Sequence, residues 1–206
     1  MARPHGPGWL PACCMLLPLA CTAALPTAGG ARAPTLFLDH YGLEEGLSQL
    51  SVNALVEDDR GFVWIGTQEG LNRFDGHRFR VFGRGPDGGA ALVSSSIEAL
   101  AFDDASRLWI GTNDAGLEVM DLRSGEHSRL GVDAGLSHQT VQQVLVDPAG
   151  GAWLGTSAGV DHVDARVASV RTLGATAPVV ALRAHGDGTP WALDRECALW
   201  AVGASN

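Results

Sequence analysis

The sequence predicts an all-β fold of four-stranded antiparallel sheets in series, and a recurring tetrapeptide is the main reason. The pattern W-[IL]-G-T occurs at residues 64–67, 109–112 and 153–156, and its tryptophans lie 45 and then 44 residues apart. Each copy follows an apolar segment and an Asp/Gly-rich turn, and each precedes Gly-Leu or Gly-Val. A repeat of this length is typical of one β-propeller blade, which takes about 40–45 residues. The chain is therefore predicted to contain consecutive propeller blades.

The first repeat shows how one unit divides into strands. Short apolar segments bounded by turn residues predict strands over 52–57, 62–67, 71–74 and 77–82. The dipeptide Asp75-Gly76 is the strongest hairpin signal in the chain. Nearly continuous apolar strands indicate sheets that are covered on both faces by neighbouring blades. No segment has a 3.6-residue apolar period, which excludes helical solenoids.

The repeated tryptophan and glycine have structural roles in this interpretation. Each Trp is predicted to fill the gap between adjacent sheets, where burial removes roughly 150–250 Å² of its surface from water. The glycine two residues later allows close approach of a neighbouring backbone. The tryptophans are therefore interpreted as core residues and not as ligand-stacking residues.

A weaker fourth copy follows the first three. Trp191 comes 38 residues after Trp153, and the tetrapeptide has changed to Trp-Ala-Leu-Asp. Blades are predicted at about 41–82, 92–130, 136–173 and 178–206, the last one incomplete. The expected architecture is an incomplete open arc of about three to four blades, belonging to the N-terminal part of a longer protein, because propellers usually contain 4–8 blades.

The N-terminal segment is predicted to be a secretory signal peptide. Residues 1–33 contain no Asp or Glu, and a short basic start precedes an apolar stretch over 9–25. Two prolines and the short span disfavour a membrane anchor, which needs about 20 apolar residues. Cleavage is expected after Ala28 or Ala33. A lipoprotein site at Cys21 is the less favoured alternative, because proline precedes its Leu-Ala-Cys sequence.

Composition excludes several classes of partner. From residue 34 onward, 12 arginines stand against 23 acidic residues, a net charge of −11, and the chain contains no lysine. An acidic chain with dispersed arginines argues against binding to nucleic acid or anionic membranes. Three of the four cysteines lie in the predicted signal peptide, so Cys197 alone gives no disulfide framework. No further apolar segment is long enough to span a membrane.

The longer repeat pattern resembles a known family. The pattern G-L-S-x3-V-x2-[LI]-x2-D-x2-G-x2-W-x-G-T-x2-G-L is present over 46–71, and a close copy is present over 135–160. In the second unit, residues 92–94 (Leu-Val-Ser) approximate the G-L-S element. This pattern resembles the two-component regulator propeller repeat, and the match covers about residues 41–165.

The resemblance implies the periplasmic region of a bacterial sensor. Proteins of this family carry a signal peptide, tandem propellers, a membrane helix and a histidine kinase or diguanylate cyclase output module, and their propellers are implied to sense ligands, often glycans. This sequence contains no kinase, cyclase or nucleotide-binding motif. The expected function is non-catalytic ligand sensing. The expected partners are a glycan or other small ligand, bound by the complete ring, and the remaining blades of the sensor.

The sequence nominates no catalytic, cofactor-binding or metal-binding residue. Its histidines do not have metal-ligand spacing, and the acidic pairs at 58–59 and 103–104 recur at the same turn, where Asp bonds the local backbone. His162 and Asp164 share a strand face that is predicted to be solvated. Residues 94–96 (Ser-Ser-Ser) lack a nucleophile motif. An exported lyase-like propeller enzyme and a truncated reading frame without function are the alternatives to sensing.

The signal peptide gives the first testable prediction. The chain recovered from the periplasm is expected to lack residues 1–28 or 1–33, because the acid-free apolar N-terminus is removed on export. Intact-mass spectrometry of the exported protein measures this directly. Exported protein that still carries Met1 would contradict the prediction.

Overall fold

The computed structural model describes residues 38–83, 92–174 and 177–202. These residues form fifteen β-strands and one short 3₁₀ helix, Val132–Ala134. The predicted signal peptide lies outside the described residues. None of the described residues forms a helix of the length and apolar character that crossing a membrane requires.

The strands group into four antiparallel sheets. The first sheet contains β1 (Val52–Glu57), β2 (Val63–Thr67), β3 (Gly70–Phe74) and β4 (Phe79–Phe82). The second contains β5 (Ile97–Phe102), β6 (Arg107–Thr112), β7 (Leu117–Asp121) and β8 (His127–Leu130). The third contains β9 (Val141–Val146), β10 (Ala152–Thr156), β11 (Gly159–Val163) and β12 (Val170–Thr172). The described part of the fourth contains β13 (Val179–Ala184), β14 (Pro190–Asp194) and β15 (Leu199–Ala201).

Each sheet is a meander in which strands pair in the order of the sequence. The all-β prediction is confirmed, and the predicted strand limits need small corrections. The fourth strand begins at Phe79 and not at residue 77, because the amides of His77 and Arg78 donate hydrogen bonds to Asp75 Oδ1 at 2.9 and 2.7 Å. These bonds belong to the turn and leave the amides unavailable for the β-ladder.

The four sheets pack face to face in sequence order. Three hydrophobic clusters fill the spaces between the first and second, second and third, and third and fourth sheets. The first strands of the sheets also contact one another in series, β1 with β5, β5 with β9 and β9 with β13. The first strand is therefore the innermost strand of each sheet, as in propeller blades around a common axis.

The repeated tryptophan is buried against the sheet that follows it. Trp64 is 2% exposed and Trp109 is fully buried, and each belongs to the cluster between its own sheet and the next. Trp153 is partly buried against the cluster of the fourth sheet. Trp191 occupies the equivalent position in the fourth sheet and is 37% exposed. The prediction of intersheet packing is confirmed for the first three tryptophans.

The glycine of the tetrapeptide is required by the spacing between sheets. A Cβ atom added at Gly66 would lie 2.6 Å from Ile97 Cγ2, and one at Gly111 would lie 2.7 Å from the carbonyl oxygen of Val141. Both distances are too short for a side chain, so glycine permits the first strand of the next sheet to approach. The fourth sheet carries Leu193 at this position.

Each buried indole is bonded to the turn that precedes it. Trp64 Nε1 donates to Asp58 Oδ2 at 2.8 Å, and Trp109 Nε1 donates to Asp103 Oδ2 at 2.8 Å. Asp58 Oδ1 also accepts from the amides of Arg60 and Phe62. The prediction that these acids serve turn geometry is confirmed, and the bond to the indole adds a second role.

The G-L-S element attaches each connecting loop to its sheet. The Ser48 amide donates to Asn72 Oδ1 at 2.9 Å, and Asn72 Nδ2 donates to Ser48 Oγ at 2.8 Å. The Ser48 hydroxyl also lies 2.9 Å from Thr67 Oγ1. The third sheet repeats this arrangement with Ser137 and Asp161. A polar residue on the third strand therefore anchors the loop, although it is itself buried.

The second sheet uses a buried glutamate for the same purpose. Glu118 Oε1 accepts from the amides of Val93 and Ser94 at 2.9 and 3.3 Å, so residues 92–94 replace the G-L-S element as predicted. Burial raises the pKa of Glu118, and the two amide bonds and the nearby His127 and Arg129 oppose this effect only in part.

Truncation of Trp109 and Trp191 should separate intersheet packing from a general aromatic effect. Trp109→Ala is expected to lower the free energy of unfolding by about 3–5 kcal/mol, because it empties a closed core. Trp191→Ala is the matched control and is expected to cost about 1 kcal/mol or less, since this residue is 37% exposed. Denaturant unfolding of both variants measures the difference. Equal costs would contradict the assignment of the two environments.

Glu118→Gln should change how stability depends on pH. The raised pKa means that the folded chain holds a proton that the unfolded chain releases, so wild-type stability falls as pH rises from the ordinary glutamate range through the raised value. Glutamine keeps an oxygen acceptor for Val93 and Ser94 but does not titrate. The stability of the variant relative to wild type is therefore expected to increase with pH in this window. Denaturant unfolding over a pH series tests this, and a pH-independent difference would contradict it.

Candidate ligand-binding channel

A β-bulge occurs at the same position of the innermost strand in all four sheets. In the first sheet Val52 pairs with Thr67 and Ala54 pairs with Gly66, so that Asn53 has no partner in the ladder. The corresponding unpaired residues of the other three sheets are Glu98, Gln142 and Val180. A bulge bends its strand and redirects a side chain, and bulges are frequent next to functional sites.

The four bulge residues line one cavity, which we call the channel. Its volume is about 420 Å³, and Val52, Gln143 and Arg195 complete its described lining. A cavity of this size falls within the roughly 300–1,000 Å³ that is usual for small-molecule sites. Because β1, β5, β9 and β13 are the innermost strands, the cavity lies where they converge.

The amide side chains of the lining have different roles. Asn53 Nδ2 donates to the carbonyl oxygen of Ile97 at 2.9 Å, which connects the first sheet to the second. Gln142 and Gln143 form no side-chain hydrogen bond within the described part of the chain. Their amide groups can each donate and accept a hydrogen bond. Two adjacent glutamines are thus available to a polar ligand.

Glu98 and Arg195 supply the charged groups of the cavity. Partial burial raises the pKa of Glu98, and a hydrogen bond from the Ser96 hydroxyl, at 3.5 Å, opposes this only in part. Arg195 is exposed, and its backbone is held by a hydrogen bond from its amide to Pro178 O at 2.9 Å. The exposed side chains of Val52 and Val180 add apolar surface. The described lining residues include a single carboxyl group and no histidine or cysteine.

The structure does not bring His162 and Asp164 together. The ring of His162 stacks on Trp153 with centroids 4.2 Å apart, and its Nε2 lies 3.0 Å from Asp147 Oδ2. Asp164 instead accepts hydrogen bonds from Ala168 and Ser169 in a turn. The prediction of a solvated face is wrong for His162, because this face of the third sheet packs toward the fourth.

The pKa of Asp147 reflects this packing. Burial raises it, but hydrogen bonds from the Ala149 amide, His162 and Trp153 together hold it below its ordinary value. Asp147 therefore remains a carboxylate beside His162. The pair is one of three close His/Arg–carboxylate contacts in the described residues, together with Arg107–Asp103 and His185–Asp187.

The adjacent carboxylates of the turns are used in structural contacts. Asp59 Oδ2 accepts from the Ser106 hydroxyl at 2.8 Å, which connects the turns of the first and second sheets. Asp103 Oδ2 lies 2.7 Å from Arg107. Within the described ranges, no group of three or more His, Cys, Asp or Glu side chains has the arrangement of a metal site. Cys197 is an exposed free cysteine.

Sequence reasoning missed the bulge residues, although a periodic signal marks them. Each lies eleven residues before the tryptophan of its repeat: 53 before 64, 98 before 109, 142 before 153, and 180 before 191. The residue before each of them is Val or Ile in all four units, whereas this position changes from Asn to Glu, Gln and Val. A position that varies inside a regular repeat is therefore a signal for a recognition residue.

Comparison with known sequences confirms the family resemblance. The sequence model of the family described as "Two component regulator propeller" matches residues 46–69, from the G-L-S element through the second strand. Histidine kinase P4 of Formosa agariphila is 42% identical over 48 residues, which are 23% of this chain and 4% of the kinase. The first blade therefore carries the two-component regulator propeller repeat.

Comparison with solved structures confirms the fold. The extracellular domain of a protein described as a hybrid two-component system from B. thetaiotaomicron superimposes with a TM-score of 0.55 at 18% identity, over 81% of this chain and 30% of that domain. The computationally designed protein Ika4 gives a TM-score of 0.58 at 18% identity, over 75% of this chain and 93% of the design. Virginiamycin B lyase from Staphylococcus aureus gives 0.55 at 10% identity, over 73% and 55% of the two chains. Sensor and lyase match equally well, so the fold alone does not assign a function.

Proposed function

We propose that this chain, whose first blade carries the two-component regulator propeller repeat, is an extracytoplasmic, non-catalytic ligand-binding part of a sensor protein. Residues 1–33 serve as its signal peptide and direct it to the periplasm. Residues 34–206 form propeller blades at about 41–82, 92–130, 136–173 and 178–206. The remaining blades and the output module belong to a longer sensor. The chain spans 30% of the sensor domain that it resembles, which supports this division.

The observation that carries the proposal is the convergence of the four bulge residues on one cavity. The same irregularity in four successive sheets directs Asn53, Glu98, Gln142 and Val180 to a shared space. None of the four has a ladder partner, and within the described residues only Asn53 also forms a side-chain hydrogen bond between sheets, to the carbonyl oxygen of Ile97. A site with several polar side chains and a single carboxyl group is suited to recognising a ligand. The propeller would then transmit the binding signal to the rest of the sensor.

The ligand is a small, hydroxyl-rich molecule such as one sugar unit of a glycan. The free amides of Gln142 and Gln143 and the carboxyl group of Glu98 can donate to and accept from hydroxyl groups. Val52 and Val180 supply the apolar surface on which the C–H face of a sugar ring can pack. A cavity of about 420 Å³ accommodates a molecule of this size.

The binding site is tested by titrating the purified chain with a panel of neutral mono- and disaccharides in a calorimeter. We expect at least one sugar to bind, and the variant carrying both Gln142→Ala and Gln143→Ala to bind it at least tenfold more weakly. Both glutamine side chains lack hydrogen-bond partners in the described structure, so thermal stability is expected to change little. Recovery of unchanged sugar after incubation tests the non-catalytic part of the proposal.

Gln139→Ala is the matched control, because Gln139 is exposed and lies outside the described lining of the cavity. It is expected to bind the sugar as wild type does. Equal binding by all three proteins would place the ligand outside the channel. Absence of sugar binding by wild type would contradict the ligand class, and turnover of the sugar would contradict the non-catalytic role.

A further inference from the structure

A second cavity, of about 280 Å³, lies between the first and second sheets, and its chemistry differs from that of the channel. Arg60, Arg73 and Arg80 contribute three guanidinium groups, and Phe62 and Met120 contribute apolar surface. We propose that this cavity binds a small organic anion, namely a carboxylate attached to a flat apolar ring. This inference does not depend on the channel or on its ligand.

Two of the arginines, Arg73 and Arg80, occupy a cross-strand row that the fold does not require to be charged. Trp64, Arg73 and Arg80 are directly opposite one another on β2, β3 and β4. In the second sheet the same row consists of Trp109, Val119 and Ser128. A blade therefore forms with Val119 and Ser128 at the positions that Arg73 and Arg80 occupy in the first sheet. Like charges directly opposite each other in a sheet are destabilising, so the first sheet carries a cost that the second avoids.

The third sheet places a carboxylate beside the basic residue at the centre of this row. His162 occupies the position of Arg73 and Arg171 that of Arg80. His162 is 3.0 Å from Asp147, and Arg171 is exposed. The first sheet has two guanidinium groups in the row and no such carboxylate contact within 4.0 Å among the described residues.

The three arginine side chains have no hydrogen-bond or ion-pair partner within the described ranges, and Arg80 instead lies over the Phe82 ring, with its Cζ 4.9 Å from the ring centroid. Arg60, Arg73 and Arg80 form no side-chain hydrogen bond or ion pair there. Arg73 lies over the Phe62 ring, with its Cζ 4.5 Å from the ring centroid, and its Nε is buried without an acceptor. A buried donor without a partner is costly, and an anion entering the cavity would supply one.

The two carboxylates in the cavity lining are already used by other groups. Asp58 accepts from two backbone amides and from the Trp64 indole. Asp121 Oδ1 accepts from the amides of Arg123 and Ser124, and these bonds lower the pKa of Asp121. Neither carboxylate forms an ion pair with the three arginines. The described lining therefore has more guanidinium than carboxylate groups, in a chain whose overall net charge is −9.

The class of ligand follows from these groups. A guanidinium presents a planar fork of donors that matches the two oxygens of a carboxylate. Phe62, already stacked with Arg73, and Met120 provide apolar surface for a flat ring. The cavity volume lies at the small end of ligand sites, which favours a molecule about the size of benzoate.

The proposal is tested by calorimetric titration of the purified chain with benzoate, with benzamide, which has the ring but no charge, and with inorganic sulfate, which has charge but no ring. We expect saturable benzoate binding and at least tenfold weaker binding of the other two. Arg73→Val and Arg80→Ser, which copy the second sheet, are each expected to weaken benzoate binding at least tenfold. Arg171→Ser is the matched control and is expected to bind benzoate as wild type does.

Thermal melting shows whether each variant folds. If Arg73→Val does not fold, Arg80→Ser still tests the proposal, because Arg80 is exposed and its replacement is not expected to unfold the chain. Absence of benzoate binding by wild type would overturn the proposal. So would equal affinity for benzamide, or wild-type affinity in folded Arg80→Ser. Sulfate binding as strong as benzoate binding would support the anion site and overturn the role of the ring.

Discussion

The hydrogen bond between a buried indole and a turn carboxylate is the interaction on which the repeat depends. A tryptophan ring fills the space between two sheets, but its N–H cannot be buried there without an acceptor. Asp58 and Asp103 supply the acceptor for Trp64 and Trp109, and the same residues fix the preceding hairpin turn. Because the Asp and the Trp are separated by a fixed number of residues, one carboxylate couples the local turn to the packing of neighbouring sheets. The fourth sheet has His185 in place of this Asp.

The structure separates the residues that build the propeller from those available for recognition. Trp64, Trp109 and the glycines two residues after them pack against the next sheet. Ile97 and Val141, the first residues of their inner strands, pack against the preceding sheet and are fully buried. The bulge residue beside them lines the channel and has no ladder partner, although Asn53 also bonds the second sheet. The arginine row is a second departure from the shared pattern, because it places charge where the second sheet has none. In both places the functional hypothesis rests on a difference between equivalent positions of the repeat.

Much of the fold could be predicted from the sequence, because the repeat period, the hairpin residues and the apolar segments are local signals. The channel could not be predicted from the sequence, because a bulge is a property of the pairing between two strands. The sequence of one strand does not show it. The row of Arg73 and Arg80 depends on strand register for the same reason. The sequence predicts a solvated face for His162, because periodicity shows that faces alternate but does not show which face a later sheet covers. The sequence located the elements, and the pairing between them located the candidate sites.

The bulges also bear on how such a protein could change its specificity. A residue inside a ladder is constrained by the partner opposite it, by its neighbours on the same face and by the sheet that packs above. Asn53, Glu98, Gln142 and Val180 have no ladder partner. A substitution at Glu98, Gln142 or Val180 alters the inner surface without removing a ladder partner, whereas one at Asn53 also removes the hydrogen bond to Ile97 O. Evolution could therefore vary Glu98, Gln142 and Val180 one codon at a time and obtain receptors for different molecules from an unchanged scaffold.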